Sequence, residues 1–320
     1  MPAAIRAENL RKTFRVETKG SGFSGRLKSL FSPSYRTVDA VAGISLSVPR
    51  GQKVAFLGPN GAGKSTFIRM LTGILAPTSG DLEVCGLDPR KDRSKLAYRV
   101  GAVFGQTSRL WYHLAARDTL LLLAAMYRIP AAEAKARVAE LAGAFGVADL
   151  LDQPVRKLSL GQRMRCEAVA SLLHKPEVLF LDEPTIGLDM VAKDALRDAV
   201  NRLAARDGTT VFLTSHDMGD VEGVCDRVVV INRGAAVFDG TLDGLRRDHV
   251  KVKSVRARFA PDAAFTPSAG MEMESFAGGR LAAKIPANPD ALRAAVASLA
   301  SAEDFTFEDP SLEEIIRTFY

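Results

Sequence analysis

Residues 58 to 66 read GPNGAGKST, directly after the apolar run Val54, Ala55, Phe56 and Leu57. Three glycines around one lysine leave bare backbone where something must approach closely. Glycine lets successive N–H groups turn inward, and the positive end of a following helix adds to their field, so the approaching group carries negative charge. The stretch matches G-x-x-x-x-G-K-[ST] as Gly58, Gly63, Lys64 and Ser65, between a strand-like run and a helix. That pattern predicts a phosphate cradle, with Lys64 on the β and γ phosphates of a nucleotide and Ser65 on Mg2+.

Such a cradle needs an acidic partner on a neighbouring strand to hold the metal. The stretch VLFLDEP (178–184) supplies it, placing Asp182 and Glu183 where an apolar strand emerges. Asp182 is the candidate for the metal shell, and Glu183 the candidate to accept a proton from the attacking water. Between the two lies KLSLGQRMR (157–165). There Ser159 can cap a helix and Gly161 leaves its N–H exposed beside it, which makes a second anion site.

The surrounding chain sets the fold class. Strand-like runs at 52–57, 100–104, 178–181, 210–214 and 228–232 alternate with helical stretches, the rhythm of a mainly parallel α/β sheet. From about 107 to 175 the pattern holds helices without strands, a helical insertion. Pro130 opens one helix, Glu133 and Arg137 sit four apart on it, Val138, Leu141 and Phe145 line its buried face, and Gly146 stops it. Past about residue 250 strand-like runs at 250–259, 270–275 and 280–285 lead to a helix over 289–299 that Asn288 can cap. The chain closes with SLEEIIRTFY, where Ser311 and Glu314 form a capping-box pair and Leu312, Ile315, Ile316 and Phe319 one apolar stripe. The expected division is an ATPase domain over 1–249 and a small C-terminal α+β domain over 250–320 whose last helix docks on something.

Composition narrows the class. Apolar content of 47% and charged content of 25% are those of a soluble globular protein. No apolar run reaches the roughly 18 residues of a membrane span, and the start MPAAIRAENLRK lacks the apolar core of a signal peptide. Cys85, Cys166 and Cys225 have neither metal-ligand nor redox spacing, so reduced, buried thiols of a cytosolic protein are expected. The net charge of +6 is concentrated: residues 1–36 carry eight basic and two acidic side chains, and the rest holds 35 of each. A basic amino-terminal segment suits nucleic acid or lipid headgroups, or is a solvated loop. Within it residues 17–37 interrupt a compact start. Phe23, Leu27, Leu30 and Phe31 beside Arg26, Lys28 and Arg36 fit a short amphipathic segment on a membrane or partner surface, or a loose loop.

These motifs, in this order, resemble those of the nucleotide-binding subunits of ABC transporters over about residues 4–245. GPNGAGKST is similar to the family's Walker A, running through Gly58, Pro59, Asn60, Gly61, Ala62, Gly63, Lys64, Ser65 and Thr66. LSLGQ, with Ser159, Gly161 and Gln162, resembles its signature loop, and VLFLDE its Walker B. Gln106 falls at the Q-loop, Gly187-Leu188-Asp189 at the D-loop, and His216 after TVFLTS at the switch histidine. Phe14 in LRKTF stands at the place of the aromatic that stacks on adenine. GQTSRLWYHL (105–114), KLSLGQRMRCE (157–167) and LFLDEPTIGLD (179–189) narrow the resemblance to the ABC-2 exporter type. In that type Trp111 and Tyr112 fall where the membrane partner's coupling helix is received.

The resemblance implies a P-loop NTPase core with a mainly parallel sheet, an antiparallel β subdomain and the helical insertion. It implies ATP and Mg2+ as cofactors, with Ser65, Gln106 and Asp182 around the metal, and catalysis by Glu183, His216 and Gln106. Two copies, or a copy and a close paralogue, would face head to tail with ATP between Walker A of one and Ser159, Gly161 and Gln162 of the other, near Asp189. A separate multi-span permease would hold the pair at the cytoplasmic face of the membrane, and no nucleic acid is expected. Two departures stand out. Leu160 replaces the usual first signature glycine, and the insertion 17–37 separates Phe14 from the P-loop, leaving Tyr35 as another aromatic for the adenine. The rival is a soluble ABC ATPase acting on nucleic acid or the ribosome; the chain has neither a tandem cassette nor the long heptad segments usual in such relatives.

Overall fold

The computed structural model describes residues 3–17, 35–105 and 108–320, which divide into two compact units, Met1–Asp239 and Gly240–Tyr320. In the first unit β1 (Ala3–Glu17) and β2 (Tyr35–Pro49) form a long antiparallel ribbon, and β4 (Ser79–Val84) joins the inner half of β1. The outer half of the ribbon, where Phe14 faces Val38, extends beyond β4. The residues between these strands carry the expected amphipathic segment. Its Phe23, Leu27, Leu30 and Phe31 lie outside the described residues.

The second sheet runs β5-β6-β7-β3-β8-β9, built from β3 (Lys53–Leu57), β5 (Val100–Phe104), β6 (Val178–Asp182), β7 (Thr210–Thr214), β8 (Arg227–Asn232) and β9 (Ala235–Thr241). The β5–β6, β6–β7, β7–β3 and β3–β8 pairs are parallel. Parallel strands covered on both faces read as continuous apolar runs, and Val178 to Leu181 and Val211 to Leu213 are accordingly all buried. Phe56 of β3 stacks at 4.8 Å on Phe67 of α1 (Lys64–Leu71) and meets Phe212 of β7 at 5.3 Å. These rings lock the helix after the P-loop to the sheet centre. Because β3, β6 and β7 run the same way, their carboxyl ends, and the loops that follow, share one edge of the sheet.

After α2 (Arg93–Leu96), the helices between β5 and β6 are α3 (Ala116–Met126), α4 (Ala131–Ala144) and α5 (Leu160–Leu172), with no strand among the described residues. Pro130 precedes α4 and Gly146 follows it at φ +61°. The expected Glu133–Arg137 pair is not made. Arg137 points inward, with its side chain 4% exposed, and its guanidinium reaches Glu140 at 3.0 Å, Asp207 at 3.3 Å and the Leu172 carbonyl at 3.1 Å. A buried guanidinium needs several acceptors, and a surface glutamate one turn earlier offers too few. Asp207 ends α6 (Met190–Asp207), and α7 (Met218–Val224) follows β7.

The second unit opens with α8 (Leu242–His249). An antiparallel sheet, order β11-β12-β10-β13, combines β10 (Val252–Arg258), β11 (Glu272–Ala277), β12 (Arg280–Pro286) and β13 (Asp304–Glu308). One face packs Val255, Phe259, Leu281 and Ile285 against Ala295 and Leu299, from α9 (Pro289–Ser298) and its carboxyl end. Asn288 caps that helix as expected. The terminal α10 (Leu312–Arg317) has the Ser311–Glu314 capping box and docks on α8, burying Leu312, Ile315 and Ile316. No helix of the described residues is long and apolar enough to cross a membrane.

Candidate active site

The P-loop runs from the end of β3 to α1, which begins at Lys64. Two of its glycines are demanded by the protein's own backbone. A Cβ on Gly58 would sit 2.4 Å from the Ile231 carbonyl, and one on Gly63, at φ +106°, 2.1 Å from the Ala40 carbonyl. The loop therefore lies pressed between β8 and β2, and the Ala62 amide donates back to the Pro59 carbonyl at 3.1 Å. Lys64 is 8% exposed, and its Nζ donates to the carbonyls of Gly58 at 2.6 Å and Pro59 at 3.2 Å. Burial pulls the Lys64 pKa below its ordinary value, against the opposing pull of Glu183 and Asp182.

The acidic residues arrive from β6. Asp182 Oδ1 accepts from the Thr214 hydroxyl at 2.6 Å and from Ser65 Oγ at 3.5 Å, which joins the P-loop, β6 and β7 at one oxygen. Glu183 occupies the left-handed region at φ +54°, and its amide donates to the Thr214 carbonyl at 3.0 Å. Its Oε2 accepts from the His216 amide at 3.2 Å, and His216 Nε2 lies 3.2 Å from Oε1. That second contact lacks hydrogen-bond alignment: Oε1 is buried and has no aligned donor among the described residues. Burial pushes the Glu183 carboxyl above the usual range, opposed chiefly by His216 and Lys64.

Lys64, Ser65, Glu183 and His216, with Ala40, Pro59, Asn60, Gly61, Gly63, Thr66 and Ile186, line a cleft of about 430 Å³. A second cleft of about 380 Å³ shares Ser65, Glu183 and Ile186 and adds Asp182, Phe104, Gly105, Arg69 and Ile74. A larger concavity of about 570 Å³ lies on the open face of the C-terminal sheet, between Arg256, Arg258, Arg280, Glu274 and Asp304. Its lining includes the hydroxyls of Ser254, Ser275 and Thr306, and among the described residues it holds no cluster of metal-ligating side chains. The hydroxyl of Ser65 facing a carboxylate oxygen of Asp182 offers the hard oxygen donors that Mg2+ prefers, and the residues present fit that ion.

The remaining site candidates lie elsewhere. Ser159 caps α5, its Oγ accepting from the Gln162 amide at 3.2 Å while Gln162 Oε1 accepts from the Ser159 amide at 2.9 Å. Gly161 occupies the first turn of that helix. Leu160 packs over the D-loop of the same chain: a Cβ on Gly187, at φ +75°, would sit 2.5 Å from Leu160 Cδ2. Asp189 caps α6 through the Ala192 amide at 2.8 Å. None of these lines the clefts, and neither does Phe14, which is 37% exposed with Lys12 Nζ 5.3 Å from its ring. Tyr35 faces Glu17 at the far end of the same ribbon. Gln106 lies outside the described residues. Sequence reading passed over Thr214, which holds both Asp182 and Glu183; the signal was its place in TVFLTS, directly ahead of Ser215 and His216.

Comparison with known proteins bears on the family and the fold. A family model described as ABC transporter matches residues 41–186. The ABC transporter ATP-binding protein NatA of Bacillus subtilis is 33% identical over 215 residues, covering 67% of this chain and 87% of that protein. The daunorubicin resistance ATP-binding protein DrrA3 of Streptomyces coeruleorubidus is 34% identical over 290 residues, 88% of this chain and 91% of the relative. Among solved structures, an ATP-binding subunit of an ABC transporter superposes with a TM-score of 0.64 at 26% identity, covering 77% of this chain and 92% of its own. A post-hydrolysis dimer of an ATP-binding cassette bound to ADP and phosphate shares the fold, with a TM-score of 0.63 at 23% identity over 74% of this chain and 98% of its own. The nucleic-acid reading of the basic amino terminus finds no support in these relatives. The chain belongs to the ABC transporter family, as one of its ATP-binding ATPase subunits.

Proposed function

We propose that this chain works as half of a head-to-tail pair that drives a separate multi-span export permease of the ABC-2 type, with hydrolysis at the shared ends of β3, β6 and β7. The observation that carries the site assignment is the Glu183 carboxyl: half-buried, 3.2 Å from His216 Nε2, and pushed above its ordinary pKa by partial desolvation. A base so poised takes a proton from water more readily than an ordinary solvated carboxylate.

In this reading the P-loop amides and Lys64 hold the β and γ phosphates of ATP. Ser65 and Asp182, with Gln106 as the resemblance supplies it, would hold Mg2+, which neutralises charge on the phosphate oxygens. Glu183 accepts a proton from the water that attacks the γ phosphate, and His216 steadies that phosphate. Phe14 stacks on the adenine. Ser159 and Gly161 of a second copy close over the nucleotide, so phosphate contacts at the signature helix exist only in the pair, and ATP binding favours closure. The permease receives the motion near Trp111 and Tyr112, which are 41% and 55% exposed, and keeps the pair at the cytoplasmic face of the membrane.

The test is phosphate release from ATP by the purified chain, alone and after co-purification with a membrane protein encoded beside it. Release abolished by Glu183→Gln, and a stable complex with the neighbour, support the reading. A chain that releases phosphate but binds no membrane protein, and responds to RNA instead, would move it to the soluble ATPases.

A further inference from the structure

We propose that Asp220 is a positioning residue for ATP hydrolysis: one buried carboxylate that holds the turn after Glu183 and the residue before His216 in a common frame, and ties both to α6. The proposal rests on the reading of Glu183 and His216 given above.

Asp220 lies on α7 and is 1% exposed. Its partners come from three separate segments. The Thr185 hydroxyl donates to Oδ2, the Ser215 hydroxyl donates to the same oxygen at 2.7 Å, and Arg197 Nε donates to Oδ1 at 2.7 Å. Thr185 stands two residues after Glu183, and Ser215 immediately before His216. Both are nearly as buried as the carboxylate, at 4% and 3% exposed. Arg197 sits on α6, the helix capped by Asp189. A carboxylate this deep must be paired and hydrogen-bonded to exist as a charge, and its three bonds go to the residue two after Glu183, the residue before His216 and the helix that follows Asp189.

The backbone of Glu183 explains what such a frame is for. At φ +54° a glutamate is strained, and strain of this kind persists only where the surroundings over-determine it. Upstream the turn hangs from Thr214, whose carbonyl and hydroxyl accept from the Glu183 amide at 3.0 and 3.2 Å. Downstream the side-chain tether is the Thr185–Asp220 hydrogen bond. With that tether cut, the turn can relax and carry the Glu183 carboxyl away from the place where it meets water. The Ser215–Asp220 bond does the same for His216 from the other side. Arg197 extends the frame along α6, so a push on Asp189 from a second copy reaches the base and the histidine together.

Thr185→Val and Ser215→Ala each remove one donor and leave the Asp220–Arg197 pair intact, which avoids the unfolding risk of Asp220→Asn. Each is expected to lower kcat for phosphate release by roughly 10- to 100-fold, the scale of a misplaced catalytic group. Nucleotide affinity and melting cooperativity should stay as in the parent chain, and Thr185→Ser, which keeps the hydroxyl, should restore turnover. Glu183→Gln is assayed alongside. Turnover unchanged in Thr185→Val and Ser215→Ala, or affinity falling in step with turnover, overturns the role of Asp220 while leaving that of Glu183 in place. Normal turnover in Glu183→Gln removes the base itself, and the positioning role goes with it.

Discussion

The Lys64 ammonium donates to the carbonyl of Gly58 at 2.6 Å, closing a ring around the loop to which it belongs. The lysine is thus held by its own backbone near the place proposed for the phosphates. It needs only to exchange carbonyl oxygens for phosphate oxygens, and the order already present reduces the cost of binding.

Removing this ammonium should therefore weaken nucleotide binding rather than turnover alone. Lys64→Ala is expected to lower ATP affinity by at least about 10-fold, the scale of a lost charge-assisted hydrogen bond. Calorimetric titration measures it directly. Unchanged affinity would remove Lys64 from the phosphate site.

Glu183→Gln keeps the size of the side chain and removes the base. ATP should still bind, turnover should fall by at least about 10²-fold, and an ATP-bound dimer should accumulate. The substitution should also raise the melting temperature. Burial raises the folded-state pKa of Glu183, so its contribution favours the fold at low pH and is lost as pH rises past that value; at neutral pH the ionised group works against folding. In the parent chain the acid limb of the kcat profile should accordingly lie above the ordinary carboxylate range. A limb at the ordinary value would show that another group sets it.

Ser159→Arg places a bulky cation where a second copy's γ phosphate is proposed to sit. Binding of ATP to the single chain should survive, while ATP-driven dimerisation in the Glu183→Gln background should be lost. The substitution also removes a helix cap, a cost of about 1 kcal/mol that leaves the fold intact. Gel filtration with ATP decides the matter, and a persistent dimer peak contradicts the head-to-tail site.

His174 stacks on Tyr127 at 3.9 Å, and its ring Nε2 lies 3.0 Å from the Val100 carbonyl, the distance of a donated hydrogen bond. Burial pushes its pKa down to about 4 from an ordinary 6.5. The unfolded chain binds the proton first, so stability from the neutral ring is complete above pH 6.5 and is lost as pH falls toward 4. The loss from this one group is up to roughly 3 kcal/mol. His174→Phe keeps the stack and should flatten that part of the stability profile, as seen in denaturant midpoints across the window. Parallel profiles for parent and variant would show that the acid loss comes from other groups.

Much of the core was legible because parallel strands buried on both faces must be apolar throughout. Val100–Phe104 and Thr210–Thr214 were readable to the residue for that reason. The site was legible because Lys64, Asp182 and His216 each follow such a run, and a parallel sheet brings those ends together. What escaped depends on partners distant in sequence. Arg137 has the spacing of a surface ion pair, and only Asp207, 70 residues on, shows why it is buried. Strand β13 is five residues long, and its partner β10 lies across a hairpin and a helix. Asp220 reads as one more helix-start acid until Thr185, Ser215 and Arg197 are seen to converge on it.

Leu160 and Gly187 form a matched pair, a large side chain on one loop and bare backbone on the other. Their substitution histories are therefore coupled in one direction. Trimming Leu160 to glycine frees position 187 from this clash, although its positive φ still disfavours a side chain. Enlarging position 187 first drives a methyl into the leucine. A signature loop grafted from a relative with two glycines would fit this chain at once, whereas this chain's signature, moved into a relative with a bulkier residue at the D-loop, would have to turn its leucine outward. Because the leucine tip is exposed and can swing aside, the order in which the two changes are made sets how far Leu160 must move rather than whether the chain folds.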